Sequence, residues 1–167
     1  MALFPRSPED AVNAGLQLQE TVRVFNGHRA NSGYRPIAVS VGINTGKLML
    51  GTVGERSRMD RTVISDAVNV ASRLEGLTRI FGAWIIVSAD VLQECSSTTS
   101  FPHRYLGRVG VKGKSRAVRI YEIIDSPDAA RMGTRETFEQ ALLHLEGRRY
   151  ALVDARIQSG GCRRSFG

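Results

Sequence analysis

The spacing of apolar residues changes along this chain, and that change limits the folds open to it. Between residues 11 and 25, apolar side chains recur every three or four positions, which is the period of a helix with one buried stripe. Over residues 37–43 they alternate with Ala38, Ser40 and Gly42, which is the period of a strand. The small residues share one face, so we expect another element to pack closely against it.

The start of the first helix carries several capping signals. Ser7 can accept a hydrogen bond from an unpaired amide, and Pro8 suits the first turn because it has no N–H to satisfy. Glu9 and Asp10 place negative charge at the positive end of the helix dipole. The sequence therefore predicts a helix that begins after Ser7. Its predicted buried stripe consists of Ala11, Ala14, Gly15, Leu18, Val22 and Phe25.

A second helix is predicted after Ser65, which can cap it. Its apolar residues have the spacing of a single buried stripe. Two polar residues, Asn69 and Arg73, lie off that stripe and one turn apart, so they can point at the same external object. The predicted stripe consists of Ala67, Val70, Ala71, Leu74, Leu77 and Phe81.

Turn residues and short apolar runs predict the remaining elements. A turn at residues 44–47 is predicted to join the alternating strand to a second strand over 48–53 as a hairpin. Because hairpins and helices occur without strict strand–helix alternation, we predict an α+β fold with helices on one face of the sheet. The other predicted elements are a buried strand over 84–87, a short helix capped by Ser88 and ending at Leu92, a hairpin of 109–111 with 118–121, and a helix with Phe138, Ala141, Leu142 and Leu145 on one side.

Composition limits the class of protein. The chain has 167 residues, 42% of them hydrophobic, which suits one globular domain with a core. No apolar run approaches the ~18 residues that a membrane span requires, and the N-terminus lacks a secretory pattern. We therefore expect no membrane segment in this chain and a cytoplasmic location. Cys95 and Cys162 lie far apart, without metal-site spacing, and are predicted to be free thiols.

The net charge of +7 raises the question of nucleic-acid binding, because basic faces gain affinity by releasing phosphate counterions. Arginines are scattered along the chain, and several of them follow Leu145. A solvated basic tail explains this distribution better than a nucleic-acid arm. We therefore expect no nucleic-acid partner.

Four blocks of sequence carry a resemblance to a known family. They are residues 41–46, 51–55, 58–60 and 62–75, and the longest contains the run Ser65-Asp66-Ala67-Val68-Asn69. In order and spacing the blocks closely resemble the class III adenylate/guanylate cyclase catalytic domain. The resemblance covers roughly residues 1–125, with residues 111–114 fitting further on and residues 1–5 resembling the end of an upstream family segment.

The resemblance implies a ferredoxin-like nucleotidyl cyclase fold, incomplete at its N-terminus, with an additional C-terminal helix. It also implies that ATP or GTP is converted to the cyclic 3′,5′-monophosphate and pyrophosphate by dimers, with each site between two subunits. In the family, one subunit holds two Mg²⁺ or Mn²⁺ ions through two aspartates, and the other supplies an Asn and an Arg. Asn69 and Arg73 match that pair, so we expect them to be catalytic.

Three further residues match substrate-binding positions of the family. Thr62 matches a position that faces adenine in adenylate cyclases, which favours ATP over GTP, although a hydroxyl bonded only to backbone is the alternative. Lys112 and Lys114 resemble the lysine region that contacts the triphosphate. An ordinary solvated turn explains those two lysines equally well, and the sequence does not decide which of them contacts phosphate.

The family's metal-binding aspartates have no match in this chain. Asp60 and Asp66 correspond to structural positions, and Asp66 is expected to cap its own helix. Both metal-binding aspartates, and the family's adenine-directed lysine, lie upstream of the segment that matches residues 1–5. We therefore predict that residues of this chain hold no metal and that the domain is N-terminally truncated.

The expected organisation is a cyclase domain over residues 1–125, a linker and helical extension over 126–150, and a disordered tail over 151–167. The expected function is that of an adenylate cyclase fragment that binds ATP weakly and is inactive alone. It is expected to work as a homodimer or with a complete cyclase subunit. The alternative is a non-catalytic dimerisation module that pairs with a complete cyclase subunit and needs no metal site.

Overall fold

The computed structural model describes residues 1–53, 60–95, 101–110, 117–125 and 133–146, with the backbone alone within 49–53, within 60–64 and at Glu146. These residues contain both helices and strands, which confirms the predicted α+β class. The helices are α1 (Pro8–Asn31), α2 (Asp66–Phe81), α3 (Ala89–Glu94) and α4 (Arg135–Glu146). The strands are β1 (Val41–Ile43), β2 (Met49–Val53), β3 (Asp60–Ile64), β4 (Ile85–Ser88), β5 (His103–Val109) and β6 (Val118–Ile123).

The described strands form two sheets. The larger has the order β1-β4-β6-β5, in which β1 and β4 are parallel and the other two pairs are antiparallel. The smaller is the antiparallel pair of β2 and β3. A hairpin before residues 118–121 is confirmed in β5 and β6, but its first strand begins earlier than predicted, at His103, and of residues 109–111 Val109 is the one seen paired, with Val118. Residues 111–116, including the turn, lie outside the described residues.

Helices cover both faces of the larger sheet, so the prediction of helices on one face is wrong. Ile85 and Val87 of β4 pack in a cluster with residues of α1 and α3. Ile86, between them, packs on the opposite face in a cluster with residues of α2, and Phe138 of α4 packs against that cluster. All four residues of β4 are buried, as expected for a strand that helices cover on both faces.

The predicted hairpin over residues 37–53 is also wrong, because β1 and β2 belong to different sheets. The strand begins only at Val41, since the backbone before it is bonded to side chains of α1. The Gln19 Nε2 donates to the Val39 carbonyl at 2.8 Å, and the Asn26 side chain both donates to and accepts from the Ile37 backbone at 2.8 Å. These amides occupy groups that a longer strand would use for pairing.

α1 begins as predicted, with the Ser7 Oγ accepting from the Glu9 N–H at 3.1 Å. Its buried face, however, is rotated away from the predicted stripe. Leu18 and Phe25 are 41% and 48% exposed. The residues that are buried are Val12, Gly15 and Gln19. Burial of Gln19 is possible because its amide is hydrogen-bonded to Val39.

The stripe of α2 is confirmed, with Val70 and Leu74 buried and its other predicted members partly buried. Gly82 caps the C-terminus of α2 in the left-handed conformation, with a φ of 61°, which glycine adopts without strain. Ser88 precedes α3 as predicted, but its hydroxyl makes no capping bond and has no partner among the described residues. α3 extends to Glu94, beyond the predicted end.

α4 is attached to the edge strand β5 by specific contacts. The Glu139 Oε1 accepts from the Tyr105 backbone N–H at 3.0 Å and from the Arg135 Nε at 3.2 Å. The Arg104 guanidinium lies 4.3 Å from the centre of the Phe138 ring and is paired with Glu122 of β6 at 2.6 Å. Of the predicted apolar side of α4, Ala141 is buried, Phe138 and Leu142 are partly buried, and Leu145 is exposed.

Candidate functional site

The candidate site is built on α2, which lies directly on β1. A Cβ on Gly42 would come within 3.0 Å of the Glu75 Cα, and closer still to the Ala71 carbonyl oxygen and the Glu75 amide. The absence of a side chain at Gly42 therefore allows the two backbones to touch. This contact confirms the prediction that another element packs closely on the small-residue face of the strand.

The N-terminal turn of α2 is held by the segment that follows β1. The Ser65 Oγ accepts from the Ala67 N–H at 3.0 Å and donates to the Lys47 carbonyl at 2.7 Å, so it caps the helix and ties it to this segment. The Asn44 Nδ2 donates to the Ala67 carbonyl at 3.1 Å. The expectation that Asp66 caps its own helix is wrong, because Ser65 is the cap and Asp66 is the first helical residue.

Asn69 and Arg73 leave α2 on the side away from the sheet. Both are exposed, whereas Val70 and Leu74, each the next residue along, are buried. The two are one turn apart, a spacing that puts their Cβ atoms about 5–6 Å from each other. In the part of the chain that the structure describes, neither side chain makes a hydrogen bond or ion pair. The amide and the guanidinium are therefore both accessible from outside the domain.

The other predicted site residues are less fully placed. Thr62 lies at the centre of β3, opposite Gly51 of β2, and its side chain is not among those described. Lys112 and Lys114 lie between β5 and β6, outside the described residues. The structure thus brings Asn69 and Arg73 together and does not relate the other three residues to them.

The metal chemistry of the resembled family requires clustered carboxylates. Over the described ranges, no group of three or more His, Cys, Asp or Glu side chains could hold a metal ion. Asp66, which is described in full, is exposed at the start of α2. The residues that the structure describes therefore supply no three-ligand cation site.

Two features of the site were not predicted. The sequence predicts a turn at Asn44, yet its side chain donates a hydrogen bond to α2. Its amide follows the small-residue face of the strand, and that position is the sequence signal for a contact with another element. Ile80 is 75% exposed and lies seven residues after Arg73, on the same side of the helix. Gly76 lies between them, and a Cβ there would meet nothing within 4 Å.

Comparison with known proteins identifies the family. Residues 5–125 match the family described as the adenylate and guanylate cyclase catalytic domain. The chain belongs to this family. Among curated relatives, this cyclase domain is 43% identical over 129 residues to an adenylate cyclase of Anabaena cylindrica, covering 74% of this chain and 26% of that one. It is 36% identical over 119 residues to adenylate cyclase 1 of Rhizobium meliloti, covering 71% and 18%.

Solved cyclase structures share the fold. The adenylyl cyclase CyaB from P. aeruginosa superposes with a TM-score of 0.58 at 31% identity, covering 71% of this chain and 59% of that one. The guanylyl cyclase Cya2 gives a TM-score of 0.54 at 26% identity, covering 68% and 55%. This cyclase domain spans about a quarter or less of the two curated relatives and less than two thirds of either structure. Among its described helices, none has the length and apolarity needed to cross a membrane.

Proposed function

We propose that this chain supplies Asn69 and Arg73 to an adenylate cyclase site that a second subunit completes, converting ATP to 3′,5′-cyclic AMP and pyrophosphate. The observation that carries the proposal is the exposed pair on a helix seated directly on the sheet. The matching blocks of family sequence surround the pair, and two relatives are named adenylate cyclases. We place the reaction in the cytoplasm.

Each member of the pair suits one part of the reaction. A guanidinium keeps its charge at any physiological pH and can stabilise the negative charge that develops on the phosphoryl oxygens. An amide can donate to the ribose and hold it in the orientation that the 3′-oxygen needs for attack on the α-phosphorus. Both groups leave one rigid helix, so their separation is fixed before the nucleotide binds.

The divalent metals of the family activate the 3′-hydroxyl and neutralise the triphosphate when they are bound. We place the metal ligands on the second subunit, because in the resembled family the subunit that supplies the Asn and Arg is not the one that holds the metals at the same site. The role of this chain is then to bind and orient the nucleotide from the opposite side. We assign Thr62 to the adenine and one of Lys112 and Lys114 to the triphosphate, by their match to family positions.

An alternative is a non-catalytic module that pairs with a complete cyclase subunit. The exposure of Ile80 favours it, because a large apolar residue on the outer side of α2 suits a protein contact. The alternative and the main proposal use the same helix. They differ in whether Arg73 is needed for turnover.

The test is a complementation assay for cyclic AMP in the presence of Mn²⁺. This chain is mixed with a cyclase subunit that keeps its metal aspartates and has its own Asn and Arg replaced. We expect turnover only in the mixture, and a loss of about 100-fold or more with Arg73→Ala. Arg79→Ala is the matched control, since Arg79 is an exposed arginine on the same helix.

The outcomes separate the alternatives. Robust turnover by this chain alone would refute a site completed by a second subunit. Activity of the mixture that survives Arg73→Ala would remove Arg73 from catalysis. Stable pairing without any turnover would favour the non-catalytic module.

A further inference from the structure

Three residues, Gly42, Asn44 and Gly46, contact α2 at two places along the helix. Gly42 faces Ala71 and Glu75, as described above. A Cβ on Gly46 would lie 2.9 Å from the Cβ of Ala67, and the Asn44 amide donates to the carbonyl of that same residue at 3.1 Å. We call these three residues the α2 cradle.

The glycines and the asparagine of the cradle have different physical roles. The glycines remove side chains and so permit close approach, but van der Waals contact with a glycine has little directional preference and does not fix where the helix stops along the strand. The hydrogen bond from Asn44 is directional and depends steeply on distance and angle. It is also made close to the candidate site, since Ala67 precedes Asn69 by two residues.

We infer that Asn44 is a positioning residue for the reaction: its bond to Ala67 fixes the axial position and rotation of α2, and through them the places of Asn69 and Arg73. The inference rests on the proposed function. A helix that slips by one residue moves about 1.5 Å along its axis and turns about 100°. Even a misplacement of about 1 Å in a catalytic group can cost about 100-fold in rate.

Asn44 can be tested separately from the rest of the cradle. Ser65 also ties the helix to this segment, but its hydroxyl is the helix cap, so replacing it changes two things at once. Asn44→Asp has the same shape and replaces the donor with an acceptor that faces the Ala67 carbonyl. Asn44→His restores an N–H at the δ position in the tautomer that carries the proton on Nδ1, which the Ala67 carbonyl favours. Thr45→Val is the neighbouring control, since Thr45 bonds to Glu94 of α3 instead of α2.

In the complementation assay, Asn44→Asp is expected to lower kcat about 10- to 100-fold with little change in the KM for ATP, because the affected groups act in the transition state. Thr45→Val should retain the original kcat, and Asn44→His should recover most of the loss. Unaltered kcat in Asn44→Asp would overturn the inference. The inference would also be overturned if the loss of kcat matched the fraction of unfolded protein and Asn44→His did not reverse it.

Hydrogen exchange of the intact chain provides a readout without catalysis. Asn44→Asp should speed exchange of the amides in the first two turns of α2 by about 10-fold relative to Thr45→Val, while the last turn stays unchanged. If the unaltered mixture makes no cyclic AMP, the composite site is refuted and this measurement alone decides the role of Asn44. Equal exchange in Asn44→Asp and Thr45→Val would show that Asn44 does not hold α2.

Discussion

Adding one methyl group at Gly42 should destabilise the domain far more than a Gly→Ala change usually does. The new Cβ would lie 3.0 Å from the Glu75 Cα and closer to two backbone atoms of α2, none of which can rotate away. Since carbon contacts are optimal at about 3.5–4.0 Å, α2 must move by about 1 Å. Overpacking of this kind costs about 1–3 kcal/mol, and the cost should be near the upper limit because the opposing atoms are backbone.

A smaller effect acts in the opposite direction. Alanine restricts the unfolded chain more than glycine does, which stabilises the folded state by about 0.4–1 kcal/mol. The net expectation for Gly42→Ala is a loss of about 2 kcal/mol in the free energy of unfolding. Backbone strain does not enter, because Gly42 is not among the described glycines with a positive φ.

Urea denaturation followed by circular dichroism measures this change, and Gly15→Ala is the matched control. Gly15 is also buried against β1, but a Cβ there would lie 3.6 Å from the Ile85 Cδ1 and 3.7 Å from the Ile43 Cδ1, which is ordinary contact. Because Gly15 lies within a helix, its alanine variant should gain up to about 1 kcal/mol. Equal stabilities of the two variants would refute the account of α2 resting on the backbone of β1.

Three other outcomes are expected. Glu122→Gln should lower the free energy of unfolding by about 3 kcal/mol in denaturant titrations, because it leaves the buried charge of Arg104 uncompensated. The control Glu20→Gln, at an exposed ion pair, should cost about 0.5 kcal/mol or less. Equal losses in the two variants would show that the Arg104–Glu122 pair is not shielded from water. Burial, reinforced by two nearby carboxylates, raises the pKa of the Cys95 thiol above its ordinary value, so at pH 8 iodoacetamide should label Cys95 more slowly than an unstructured cysteine. Labelling at the unstructured rate would show that the thiol is accessible. Because the folded thiol keeps its proton to higher pH than the unfolded one, the free energy of unfolding should also fall as the pH rises above the pKa of an unstructured thiol. Calorimetry of this chain with an ATP analogue and Mg²⁺ should give a Kd no tighter than about 0.1 mM, and a micromolar value would imply further contacts to the nucleotide.

The fold could be predicted from the sequence where the spacing of apolar residues alone determines which side of an element is buried. α2 is the clearest case, since Val70 and Leu74 face the sheet as their spacing indicates. The same period did not give the orientation of α1, whose buried side includes the polar residue Gln19. Its hydrogen bond to Val39 makes that burial possible, and no spacing rule includes such a bond. Alternation identified β1 as a strand but could not name its partner, which is β4 and not β2.

The candidate site was predictable only in part. Asn69 and Arg73 were assigned from the resemblance, since a polar pair on a helix is by itself an ordinary solvated surface. Their place on one side of α2 follows from helical spacing, and the structure shows that both are exposed. The sequence does not separate two roles for Asn44, since its place on the small-residue face suggests a contact with another element and its place before a glycine-containing turn suggests turn formation. The structure decides between them, because its amide is directed at Ala67.

The attachment of α4 to β5 has a consequence for association between copies of the protein. An edge strand with an open N–H invites a strand from another chain to pair with it, which is a common route to aggregation. At Tyr105 that N–H is already bonded to Glu139, and the helix itself lies against β5. A shortened protein that ends at residue 125 would lose this cover while keeping the whole family-matched segment. Such a protein should aggregate more readily at high concentration than one that extends through residue 146.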